Sequence, residues 1–321
     1  MNRCVSVLCA GVLTATSARG QAIVTTGVER DVQREGFWRI TYDNDFFTAT
    51  DYYFTQGIHV EAVNPIFHRS RVSRVLMMPG GTAQRVGLAY EDDGYTSTDL
   101  KASQILANDH PYVGTKQLRV FGVATDSVRH QRISSSLNIG IIGQGAGGKE
   151  IQTFIHRHTG NTIPQGWGNQ IRNDVIVNYE ANVERQLYRD GNRVLLTGTA
   201  GARAGTFNTA LTVGPTLLIG RIGAPFSATA SRGRMFHVYL KPQLNIVGHD
   251  ATLQGGLFNR SSPYTISSGD LSRFVLRSQA GFVFRSGDRY LEYYQSVGTR
   301  EFSGGRAHRS GGIAIGFLRA R

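Results

Sequence analysis

The chain of 321 residues has almost no cysteine: Cys4 and Cys9 are the only two. Both lie in an apolar run from Cys4 to Leu13, which follows Met1, Asn2 and Arg3 and precedes small residues around Thr16 and Ala18. That order is the layout of a secretory signal, expected over residues 1–22, with cleavage after Ala18 or Ala22. The exported remainder, taken as residues 23–321 and as a single domain, carries no thiol, which excludes disulfide staples and a cysteine nucleophile. Long hydrophobic runs are missing too. No exported segment reaches the roughly 18 consecutive apolar residues of a membrane-crossing helix, so helical spans are excluded. Acidic residues are in deficit, 23 against 35 Lys and Arg, for a net charge of +12. Such a balance favours an anionic partner. The basic residues are scattered through strands and turns rather than gathered in runs or aromatic stripes, which places anionic lipid ahead of nucleic acid. The Gly-x-Ser-x-Gly elbow of α/β hydrolases is absent. His156 and His158, two apart, would face opposite sides of a helix and make no zinc-type cluster.

What the sequence has in abundance is alternation. From Phe37 onward the dominant signal has period two, interrupted by Gly, Asn, Asp and Ser clusters. Between Asp174 and Leu187, Val175, Val177, Tyr179, Ala181 and Val183 share one face, while Asn178, Glu180, Asn182, Glu184 and Gln186 share the other. From Arg273 to Arg285, Phe274, Leu276, Ala280, Phe282 and Phe284 oppose Arg273, Arg277, Gln279 and Arg285. Phe236, Val238, Leu240, Leu244 and Ile246 likewise oppose His237, Lys241, Gln243 and Asn245. A soluble sandwich would also alternate. The length of these strands, the charge on their polar faces and the alternation of short turns (Arg189 to Asn192, Ser286 to Asp288) with longer loops point instead to an all-β, transmembrane antiparallel β-barrel of roughly twelve strands in an outer membrane. The ending Gly316-Phe317-Leu318-Arg319-Ala320-Arg321 lacks the usual terminal aromatic residue.

Two places break the rhythm. The stretch "YDNDFFTATDYYFTQG", residues 42–57, packs Asp, Asn and Thr into an apolar strand pattern. Asn44 falls in register with Trp38, Ile40 and Tyr42, where an amide facing lipid is costly, so it must sit at the rim or have a polar partner. The glycine-rich "GIIGQGAGG", residues 140–148, leads into a short segment that reads as helix and would put Gln152 and His156 on one face. Residues 143–149 nearly spell a phosphate loop, but Glu150 stands where Ser or Thr would bind magnesium, so the glycines read as a hinge.

Taken together, "NDFF" with "TDYYFTQG", then "DDGYTSTDL", "NDHPYVG", "IIGQGAGGKEIQTFIH" and "PQGWGNQI" resemble, in order and spacing, the outer-membrane lipid A 3′-O-deacylase family. The resemblance is best over residues 38–180. It implies a barrel of twelve strands with a short extracellular helix, acting as a calcium-dependent esterase that removes the 3′-linked acyl chains of lipid A in lipopolysaccharide. It places the family's Asn-Asp pair on Asn44 and Asp45, its strand-two Thr on Thr55, its Gln-x-x-x-His on Gln152 and His156, and its lysine near Lys101, with Ser97 where the family usually has Pro. Asn44, Lys101, Gln152 and His156 would serve catalysis, and Asn44, Asp45 and Thr55 would hold Ca2+. Some relatives carry a carboxylate six residues after the His, where this chain has Thr162; Asp174 or a loop acid could compensate. The implied protein is a monomer whose site faces the extracellular leaflet. Two other readings are open: an outer-membrane phospholipase of Ser/His type, and a non-enzymatic porin or adhesin.

Overall fold

The computed structural model describes residues 26–31, 36–50, 52–81, 83–227 and 233–318. The expected export signal and its cleavage point lie outside them. The alternating segments form β1 (Phe37–Asn44), β2 (Tyr53–Val63), β3 (Ala83–Thr96), β4 (Val113–Asp126), β5 (Gln131–Ile142) and β6 (Asp174–Asp190). They continue as β7 (Val194–Gly205), β8 (Asn208–Arg221), β9 (Met235–Asp250), β10 (Phe274–Ser286), β11 (Arg289–Gly298) and β12 (His308–Leu318), and a short helix, α1 (Pro65–His68), follows β2. Each strand pairs antiparallel with the next, and β1 closes on β12 with Tyr42 opposite Ile313 and Asn44 opposite Gly311. Closure leaves no backbone edge to be satisfied in lipid.

Sidedness follows the alternation. Val175, Val177 and Val183 of β6 are exposed on the outer wall, while Asn178, Asn182 and Glu184 are buried in the lumen. On β10, Phe274, Leu276 and Phe284 face out and Arg277, Gln279 and Arg285 face in. Arg273 lies just outside β10, where its guanidinium donates to the carbonyls of Val247, Gly248 and Ser268.

The lumen is filled rather than open. Residues 26–31 run inside it, and each charge there meets an opposite one: Glu29 with Lys241 at 2.6 Å, Arg30 with Glu292 at 2.9 Å, and Asp31 with Arg85 at 2.8 Å and Arg132 at 3.3 Å. At the other end, Tyr53, Leu253, Ile266, Leu271 and Phe302 pack over the luminal Val247 and Val275. That mouth carries the long loops, residues 97–112, 143–173, 251–273 and 299–307. The opposite end has tight turns at 127–130, 191–193 and 287–288, but also two long connections, 64–82 and 222–234, so the asymmetry of turn length is not complete.

Candidate active site

The site starts where β1 ends. Asn44 caps a 3-10 turn, Asp45–Thr48, its Oδ1 accepting the N–H of Phe46 at 2.7 Å. Its Nδ2 donates to the carbonyl of Thr55 at 2.5 Å and to the Tyr42 hydroxyl at 3.0 Å. Thr55 occupies a bulge in β2, between Phe54 opposite Tyr95 and Gln56 opposite Gly94. The amide on the apolar face therefore has partners at both ends, which removes the desolvation cost that its position raises. A bulge re-aims a side chain at the end of a ladder, and here the re-aimed residue is Thr55.

After β5 the chain turns through Gly143 and Gly147, both at positive φ, into α2 (Gly148–Thr159). Gly148 is required by contact: a Cβ there would lie 2.8 Å from the Trp167 ring and 3.1 Å from the Gly114 backbone. Gly160, also at positive φ, ends the helix. Gly148, Gln152 and His156 are spaced four apart and form the buried face, while Phe154 and His158 lie exposed on the far side, their rings tilted against each other with centroids 4.2 Å apart.

Gln152 is 1% exposed; its Nε2 donates to Thr55 Oγ1 at 2.7 Å and its Oε1 accepts the indole N–H of Trp167 at 2.8 Å. A continuous run of hydrogen bonds thus joins Asn44, Thr55, Gln152 and Trp167 across four elements, the last being the 3-10 turn Gly166–Asn169. His156, 6% exposed, places Nδ1 2.6 Å from the carbonyl of Thr162. A carbonyl only accepts, so Nδ1 carries the proton and Nε2 keeps its lone pair when the ring is neutral. Among the described residues no serine hydroxyl bonds to this imidazole. His156 is oriented by Thr162, not by Gln152, and it is the backbone of Thr162 rather than a side chain that does so.

The remaining expected residues lie further out. Asp45 is buried, with Oδ2 accepting the N–H of Tyr52 at 2.7 Å and lying 4.0 Å from His308 Nε2. Lys101 sits on the 97–112 loop with its side chain exposed and its N–H on Asp99 Oδ1. That loop is tied to the segment after α2, since Leu100 accepts from the Gln165 N–H and Ser103 from the Asn169 amide. The fold brings Asn44, Thr55 and Gln152 into direct contact and leaves Lys101 outside their hydrogen-bonded run. The Asp174 carboxylate accepts the N–H groups of Val175, Phe258 and Asn259 and anchors the 251–273 loop. His110, from the "NDHPYVG" motif, is packed against Tyr95 with rings 5.4 Å apart, and burial holds its pKa below the ordinary imidazole value despite the Pro111 carbonyl at Nδ1. It is a packing residue.

Two participants escaped the sequence reading. Trp167 lies fifteen positions beyond Gln152, and no period connects them. Lys116 faces the outer wall 3.5 Å from Asp92, whose same oxygen accepts the Tyr90 hydroxyl, and its ammonium lies 3.3 Å from where a Cβ on Gly147 would stand. The alternation of β4 marks Lys116 as a charge on a lipid-facing register, which was its only signal.

The donors proposed for a metal suit calcium by type: one carboxylate on Asp45, the amide oxygen of Asn44, and the hydroxyl and carbonyl of Thr55 are all hard oxygens. Among the described residues no cluster of three His, Cys, Asp or Glu adds to them.

Comparison with known proteins gives a family match over residues 5–318 to "Outer membrane protein LpxR". Among solved structures, LpxR from Salmonella typhimurium superposes with a TM-score of 0.74 at 18% identity, covering 88% of this chain and 100% of that one. The β domain of the Bordetella autotransporter BrkA reaches only 0.44 at 11% identity, over 88% of this chain and 99% of that one. No curated protein sequence matches.

Proposed function

The chain belongs to the LpxR family of outer-membrane proteins, and on that premise we propose that it is a lipid A 3′-O-deacylase, hydrolysing the ester that links acyl chains to the 3′ position. The observation that carries this reading is His156. Its Nδ1 is fixed by a carbonyl and its Nε2 is unbonded among the described residues, on a helix fastened to the barrel wall through Thr55.

In the proposed reaction Nε2 of His156 takes a proton from water as the oxygen adds to the ester carbonyl. The tetrahedral intermediate then collapses, the C–O bond to the sugar breaks, and the imidazolium returns its proton to the departing sugar oxygen. Fatty acid and free hydroxyl are the products. Gln152 keeps the helix seated, and Asn44 keeps the bulge that receives it. Lys101 stabilises negative charge on the reacting oxygen, and Lys116 offers a cation to a substrate phosphate. Because Asn44 lies on the lipid-facing register, substrate enters from the extracellular leaflet rather than through the lumen. All of these groups come from one chain, so a monomer suffices. Calcium, held by Asn44, Asp45 and Thr55, would polarise the ester carbonyl when bound.

Mass spectrometry of lipid A from cells making each variant tests the reading. His156→Asn should leave the barrel folded and lower deacylation by about 100-fold or more, the scale of losing a general base. His158→Asn, exposed on the opposite face, should be nearly silent. Unchanged trimming by the His156 variant would remove the mechanism, and equal losses at both positions would mean only that the helix had been disturbed. Calcium has its own arm: chelation should abolish hydrolysis reversibly and Asp45→Ala should mimic it, whereas full activity in excess chelator would dismiss the ion.

A further inference from the structure

The connection between β2 and β3 does not hang free below the barrel. Residues 64–78, which include a short helix, Pro65–His68, and a 3-10 turn, Arg71–Val75, fold back along the outer wall. Leu76 is buried against Val86 and Val120, with Phe67, Met78 and Leu137 packed around it. These strand residues belong to the outward register, since Leu88 pairs with Val120, Val120 with Leu137 and Leu137 with Tyr179 in one row around the barrel. Hydrogen bonds pin the segment there: Tyr179 Oη donates to the carbonyl of Val75 and accepts from the N–H of Met77, each at 3.0 Å, and Ser135 Oγ donates to the carbonyl of Met77 at 3.1 Å. Gly122 leaves the space that the Met78 sulfur fills.

What the strap presents outward is of two kinds. Ile66, Val72, Val75 and Met77 are exposed apolar side chains, from 48% to 66% accessible. Interleaved with them, Arg69, Arg71 and Arg74 are exposed and have no ion pair among the described residues. Apolar and cationic side chains alternating on an element that lies in the plane of the wall is the pattern of an interfacial membrane segment. The strap sits at the end of the barrel away from α2, hence at the leaflet opposite the candidate site.

We propose that residues 64–78 form a binding surface for anionic phospholipid in the inner leaflet of the outer membrane, with Arg69, Arg71 and Arg74 holding headgroup phosphates and the apolar side chains lying among the acyl chains. Three features fit this occupant. The wall beneath the strap is the lipid-facing wall, guanidinium groups bind phosphate oxygens in a bidentate fashion, and unpaired arginines beside exposed apolar groups need an anion where lipid meets water. The choice of leaflet rests on the extracellular placement proposed for the candidate site, while the lipid-binding surface itself does not depend on the hydrolytic reading.

The test uses the whole protein reconstituted in bilayer discs of phosphatidylglycerol mixed with phosphatidylcholine, released gently and weighed by native mass spectrometry. Wild-type protein should keep phosphatidylglycerol in preference to phosphatidylcholine, and the preference should weaken as salt rises. Replacing Arg69, Arg71 and Arg74 together by Gln should lower that retention by about 10-fold or more, given the attraction of each basic residue near an anionic surface. The triple variant should still run heat-modifiably. Arg129→Gln, on the turn at the same end of the barrel, serves as the control and should retain lipid normally. Equal retention by the triple variant would overturn the proposal, as would wild-type protein with no headgroup preference or one whose preference is abolished equally by Arg129→Gln. Deacylation assays on the same samples report on the other site separately.

Discussion

Gln152 shows how much of this site is decided by single donors. A buried amide left with one end unpaired costs about 1–3 kcal/mol, and here the Trp167 indole supplies the missing donor. With its oxygen committed to Trp167, the amide can turn only its N–H toward Thr55. Trp167→Phe keeps most of the ring and removes the N–H, so the amide can flip and α2 loses its fixed register on the bulge. Steady-state kinetics should show kcat falling by about 10-fold with KM little changed, because a positioning group acts on the reacting geometry more than on binding. Adding Trp167→Phe to Gln152→Leu should cost little more, since both remove one connection; fully additive losses would show that Trp167 merely packs the loop. At this scale the sequence was legible only in part. The need for a partner at Asn44 followed from alternation alone, because residues two apart on a strand share a face. Gln152 and His156 were placed by the resemblance, and their bonds to Thr55 and Thr162 could not be read, since hydrogen-bond partners depend on where the loops land.

At the scale of elements, the strands were the easiest to read and the outer strap the hardest. Period two marks a strand between two different environments, and both the lipid-facing valines of β6 and its luminal amides obey it. A bulge leaves no such mark, so the register shift at Thr55, on which the site depends, was invisible. The helix was foreseen from the loss of alternation after Gly148, and its glycines carry the physical reason. A glycine inside a helix lowers helical propensity by about 1 kcal/mol relative to alanine, so its presence at the first position of α2 needs a cause, and the Trp167 ring and Gly114 backbone against it supply one. Close approach here outweighs propensity, and it is what lets a helix of twelve residues lie near enough to the wall for Gln152 to reach Thr55. Residues 64–78 gave no periodic signal because their contacts are to the outer surface of other strands rather than to one face of a core.

For the whole molecule, the chemistry proposed for the outer wall leaves the lumen with no transport to perform, and the structure fills it. The ion pairs that residues 26–31 make with Lys241, Glu292, Arg85 and Arg132 are buried, and among the described residues small cavities of about 30, 10 and 10 Å³ remain beside them. Each has room for about one or two water molecules. Planar-bilayer recordings of the purified protein should therefore show no steady conductance, and a steady open channel would restore the porin reading that the filled lumen argues against. Replacing Glu29, Arg30 and Asp31 together by Ala carries the argument further. It removes the charges that Lys241, Arg85, Arg132 and Glu292 meet at 2.6 to 3.3 Å, and breaking a buried ion pair from one side is costly unless water reaches the charge that remains. The lumen should then hydrate and conduct in bursts, with a preference for anions because three of the four charges that lose an ion-pair partner are positive. Since His156, Gln152, Thr55 and Asn44 stand on the far side of the wall from that segment, lipid A trimming by the triple variant should persist wherever the barrel still inserts; loss of trimming in a correctly inserted, heat-modifiable variant would mean that the lumen and the outer-wall site are coupled.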